Sequence, residues 1–212
     1  MAHDKSTHGK STTYTTAPAE RADAGADSGA TVHLGSGDVG ILNYALALEQ
    51  LEAEFYSRAV DAKPSGLDAD AMSILDDLRK HETVHREFFF TALGKNAIPR
   101  LHFDFSSVDF DKGDSVLEAA RKIEDLGVAA FNGAGQLLTN PDFLALAGKI
   151  VSVEARHAAA IRDLLEPKTA SFAGDDVVDA KGRDGARLPA DVLPLAAPFI
   201  KEQIDASQLP TM

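Results

Sequence analysis

The chain has 212 residues, 44% of them hydrophobic, a formal net charge of −12 and no cysteine. That charge argues against sequence-independent nucleic-acid binding, which needs a basic surface, and the missing cysteine excludes both a disulfide framework and a cysteine-held iron–sulfur cluster. No run of about 18 apolar residues is present to span a membrane, and the first ten residues lack a signal peptide's hydrophobic core, so the cytoplasm is the expected compartment.

Residues 1–35 are rich in Ser, Thr, Ala, Gly and Asp and read as a disordered tail. Its histidines, His3, His8 and His33, read as solvated rather than ligating. Residues 36–167 carry four stretches of helical hydrophobic spacing, predicting helices near 38–62, 68–93, 114–139 and 141–166. Asp38 is the expected N-cap of the first, and Pro64-Ser-Gly66 breaks the chain before the second. Ser115-Val-Leu-Glu118 fits a capping box at the start of the third. Asn140-Pro141 caps the fourth with Pro at its first position, and Pro167 ends it. Residues 96–114 are irregular and long enough to cross the length of a bundle.

Residues 168–212 form a C-terminal extension whose apolar cluster, Val192 to Ile200, must be buried against the bundle or a second subunit. Leu48, Leu51 and Phe55 lie on a second face of helix one and are exposed unless another surface meets them. Self-association, with a homodimer favoured, or docking of the C-terminal extension would cover them.

Two E-x-x-H tetrads, Glu82-Thr-Val-His85 and Glu154-Ala-Arg-His157, sit inside helical stretches. At that spacing Glu and His project from one face, a turn apart. Random placement would give roughly 0.4 such tetrads, so one alone would mean little. Register strengthens the signal: Glu49, Glu82, His85, Glu124, Glu154 and His157 all lie within about 60° of the centres of their apolar stripes. A lone Glu on such a stripe is usually a helix-end residue or the partner of a buried Arg. Here Arg79, Arg86, Arg121 and Arg156 project mostly off the stripes, and four carboxylates cannot stay ionised together in an apolar core without cations. Two E-x-x-H pairs plus one Glu from each of two further helices make the ligand set of a carboxylate-bridged dimetal site in a four-helix bundle. His81, at the edge of its stripe, reads as a supporting or surface residue rather than a ligand.

The halves of the bundle repeat. Glu49 is followed seven residues on by Tyr56, and Glu124 seven on by Phe131; 33 residues separate Glu49 from Glu82, and 30 separate Glu124 from Glu154. Two helical hairpins related by a pseudo-twofold axis would bring both ligand sets to one centre. On these motifs the chain, over about residues 38–166, resembles the ferritin-like superfamily. Ala-Leu-Glu49-Gln-Leu-Glu-Ala-Glu-Phe-Tyr56 is similar to the first helix of bacterial ferritin-like proteins associated with desiccation or stress.

The resemblance implies an all-α, ferritin-like four-helix bundle with a long crossover between helices two and three. It also implies two metal ions per chain, iron or manganese. Glu49 and Glu124 would be terminal ligands, Glu82 and Glu154 bridging ones, and His85 and His157 the nitrogen ligands. Glu52, one turn from Glu49, is an alternate ligand, and Tyr56 could donate a hydrogen bond to the site or be oxidised, although a plain core tyrosine needs neither role. Thr83 stands where a haem-binding bacterioferritin would carry Met, and the absent cysteines rule out a rubrerythrin's iron–sulfur module. A centre of this class acts on Fe(II), oxygen or peroxide, as a ferroxidase, peroxidase or manganese-catalase-like oxidoreductase in stress defence. A metal-binding or structural stress protein without turnover is the alternative.

Overall fold

The computed structural model describes residues 30–212, so the tail expected over 1–35 falls largely outside the described residues. Its last part is not a tail. Thr31–His33 form a short strand, β1, paired in parallel with β2, Gln203–Asp205, and Leu34 is fully buried. The partner strand lies some 170 residues away, so local composition could not announce the pairing.

Four long helices make the body: α1, Gly37–Ala62; α2, Ala69–Leu93; α3, Gly113–Gly135; and α4, Pro141–Leu165. The expected boundaries hold within a residue or so except at the end of α3. There a pair of glycines loosens the last turn, and Gln136 N–H donates to the Gly133 and Ala134 carbonyls. Asn140 caps α4 by accepting from Asp142 N, with Pro141 at the first position. Two other expected caps are different. Asp38 lies inside the first turn of α1, and its carboxylate accepts from Thr139 and Asn140, tying that end to the α3–α4 link. The expected capping box is not formed: α3 begins at Gly113, two residues before Ser115, because Gly113 N donates to Ser65 O, and Glu118 instead pairs with Arg121 at 3.0 Å. Among the described residues no helix is long and apolar enough to cross a membrane.

These ties fix the topology. α3 starts beside the α1–α2 turn, through the Ser65–Lys112 bridge, and ends beside the start of α1. α2 and α3 therefore run in the same direction, and residues 97–112 travel the bundle's length. Two buried amides of α1, two helical turns apart, fasten that crossover. Asn43 accepts from Ile98 N and donates to the Leu34 and Asn96 carbonyls; Gln50 accepts from Leu101 N and donates to Pro99 O. Each satisfies backbone groups that an irregular segment could not pair by itself.

The second face of α1 is covered by the chain's own crossover and C-terminal extension. Phe55 packs against Phe105 and Phe110, and Phe105 against Phe199. The extension contains helix α5, Pro189–Ala196, with Val192 and Ala196 fully buried. It lies close on α3: Arg187 N donates to Ala129 O, and a Cβ at Gly133 would fall 1.8 Å from Arg187 O. Of the two covers weighed for this face, the structure supplies docking in the same chain.

Candidate metal centre

Each helix delivers its polar residues to the bundle centre because they occupy its apolar stripe. The side chains of Glu49 on α1, Glu82 on α2, Glu124 on α3 and Glu154 on α4 have no solvent exposure, and His157 has 3%. With His85 they form two overlapping groups whose candidate ligand atoms lie within 4.8 Å of one another: Glu49, Glu82, His85 and Glu154, and Glu82, Glu124, Glu154 and His157. The two groups share Glu82 and Glu154.

The shared glutamates divide their oxygens between the histidines. Glu82 Oε2 is 3.2 Å from His85 Nδ1 and Oε1 is 2.6 Å from His157 Nδ1. Glu154 Oε1 is 2.9 Å from His85 Nδ1 and Oε2 is 3.4 Å from His157 Nδ1. Glu49 faces only His85, at 3.4 Å, and Glu124 only His157, at 3.8 Å.

Most of these approaches are not hydrogen bonds. Both oxygens of Glu49 and of Glu154, one each of Glu82 and Glu124, and His157 Nδ1 are buried without a hydrogen-bond partner. His157 Nδ1 and Glu82 Oε1 are close yet misaligned, as expected when lone pairs converge on a point between them. Buried polar atoms are nearly always satisfied, so this donor set fits divalent cations. The nearby arginines do not serve instead: Arg79 pairs with Asp76, Arg86 with Glu87, Arg121 with Glu118, and Arg156 bonds Ser152.

The halves differ in their support. Tyr56 Oη, fully buried, donates to Glu124 Oε1 at 2.5 Å, whereas its repeat counterpart Phe131 packs on Phe89. His81 Nδ1 lies 2.9 Å from His157 Nε2, with the two rings 5.1 Å apart and nearly parallel. That bond sets which His157 nitrogen faces the centre. His81 is exposed, so this half is joined to solvent through a pair of imidazoles. Helical spacing put His81 only at the stripe's edge; its pairing across to α4 depends on how the helices are rotated. Glu52, the alternate ligand, is fully buried but stands outside both groups, its carboxyl against Gly127 of α3.

Without metal the centre holds protons. Burial pushes the Glu49 and Glu124 carboxyls well above the usual range, with the neighbouring carboxylates adding to it. Burial opposes a charged imidazole, but the nearby carboxyls of Glu154, Glu49 and Glu82 outweigh it and push His85 up to about 12. Glu154 and Glu82 likewise push His157 up to about 10. Burial would raise Glu82 as well, yet His157 and His85 hold it down, to about 2. Metal ligation needs neutral imidazoles and ionised carboxylates. Adding Mn(II) or Fe(II) to the metal-free protein at neutral pH should therefore release protons, and acidification should release metal. An anaerobic titration in weak buffer with an indicator dye checks this; metal uptake with no acid release would contradict it.

Compared with curated proteins, the chain has no significant match. Residues 37–167, from the first residue of α1 to just past α4, match the ferritin-like domain family. That match covers more than half of the sequence and coincides with the two helical hairpins that carry the clustered glutamates and histidines; the chain belongs to the ferritin-like domain family.

Proposed function

We propose that the chain is a dimetal carboxylate protein that oxidises Fe(II) or consumes oxygen or peroxide, in cytoplasmic stress defence of the kind its first-helix resemblance suggests. The observation that carries the reading is the division of Glu82 and Glu154 between the two histidines. One half-site would be Glu49 and His85, the other Glu124 and His157, with Glu82 and Glu154 common to both.

Two ions so held can exchange two electrons with oxygen or peroxide. The protein's own residues do the rest. The four carboxylates match the charge of the ions, and the fully buried glutamates keep bulk water from the centre. Tyr56 holds Glu124 from behind, and His81 holds the ring of His157. Iron and manganese accept the same oxygen and nitrogen ligands, so the donor set suits either.

Elemental analysis of protein purified without added metal, followed by turnover assays with Fe(II) and with hydrogen peroxide, tests the reading. About two equivalents of iron or manganese with turnover of one substrate is the expected result. Bound metal without turnover would make this a metal-binding protein, and no metal after reconstitution would leave a structural role.

A further inference from the structure

Beside the metal centre lies a cavity of about 440 Å³, between α1, α3 and the C-terminal extension. Its volume is in the range of small-molecule sites. Leu48 and Leu51 of α1, Ile123 and Leu126 of α3, and Leu195 and Phe199 of the extension supply apolar walls. The roof therefore comes from residues outside the family match.

Glu52 also lines this space. It has 1% exposure, and its Oε2 has no hydrogen-bond partner. The opposing residue is Gly127, in the interior of α3, where a Cβ would come within 2.6 Å of Glu52 Oε1. Glycine weakens a helix interior, so its place here is explained by the room it leaves for that carboxyl. A carboxyl oxygen without a partner can accept a hydrogen bond from a hydroxyl. Around the cavity, Lys122, Arg162 and Arg187 are balanced by Asp125, Asp176 and Asp184, and Arg162 is held by Asp125 and Asp176 directly. Neither sign of charge dominates.

We infer that this cavity binds a small neutral molecule with an alkyl or aryl body and one hydroxyl group, the hydroxyl meeting the Glu52 carboxyl. The apolar walls take the body, the balanced rim disfavours ions, and the buried carboxyl gains the partner that it lacks. The inference rests on the cavity and not on metal occupancy.

Calorimetric titration of the full chain with 4-propylphenol and with propylbenzene tests it. One saturable site preferring the phenol is expected. Leu195→Trp fills the cavity from a side chain that is 47% exposed, so folding should be retained while both ligands weaken by about tenfold or more. Glu52→Leu should lower the preference for the phenol by about three- to tenfold, the worth of one hydrogen bond to a buried group, and Glu52→Gln, which keeps an acceptor oxygen, should retain most of it. No saturable binding by the parent chain, or unchanged affinity in folded Leu195→Trp, overturns the proposal. An unchanged phenol preference in folded Glu52→Leu overturns the role of Glu52.

Discussion

Glu82→Ala should strip metal from both halves of the centre while leaving the metal-free protein nearly as stable as before. Glu82 is the residue whose two oxygens reach both histidines, at 3.2 and 2.6 Å, so its loss weakens both half-sites together. His85→Ala, by contrast, removes a nitrogen from one half only and should lower metal content by about one equivalent.

The metal-free cost is small for a specific reason. Glu82 is there the counterion of two protonated histidines, but the cluster has spare carboxyls. Glu154 faces the same two nitrogens, and Glu49 and Glu124 hold protons that they can give up when Glu82 is gone. Ionisation of one of those carboxyls restores the lost counter-charge, so the remaining cost is the small cavity left behind. A glutamate serving only as a structural hydrogen-bond partner would instead cost about 1–3 kcal/mol with or without metal. Metal counts beside melting curves, recorded with and without chelator, separate the two. Equal destabilisation in both conditions with metal content unchanged would refute the dimetal reading.

Phe55→Ala should lower stability by about 3–5 kcal/mol, the usual loss for emptying a buried aromatic site. In a chain of this size that corresponds to a drop in Tm on the order of 10 °C. Phe55 has no exposure and sits among Tyr56, Phe105 and Phe110 at centroid distances of 5.2–5.7 Å. Its edge-on contacts with Tyr56 and Phe105 add to the area it buries. Because the crossover of the same chain provides the cover, the loss should not depend on protein concentration. Thermal melts over a hundredfold concentration range check this. A deficit that vanishes on dilution would mean that a second subunit, not the crossover, covers this face.

The four helices and six clustered residues were legible in the sequence because both signals are local. A Glu three residues before a His on an apolar stripe shares a helix face whatever the helix packs against. The stripe also says that the face is inward, and the charge of four inward carboxylates calls for cations. Asn140-Pro141 could be read as a cap because its bonds stay within one turn.

Other features depended on which elements meet. Ser115 looks like a cap in isolation, but the backbone bond from Gly113 to Ser65 starts α3 two residues earlier. Asp38 could cap α1 yet is taken by Thr139 and Asn140. Thr31–His33 are too few to be read as a strand despite two β-branched residues, and only Gln203–Asp205 alongside makes them one. Tyr56 with Glu124, His81 with His157, and Glu52 with Gly127 each join side chains on different helices. Such pairs depend on helix rotation and separation, which side-chain packing sets across the whole core. By itself the sequence determined which residues face inward and what charge they bring. Only the tertiary structure decided which inward residues touch, because periodicity records a helix's face and holds no record of its neighbour's.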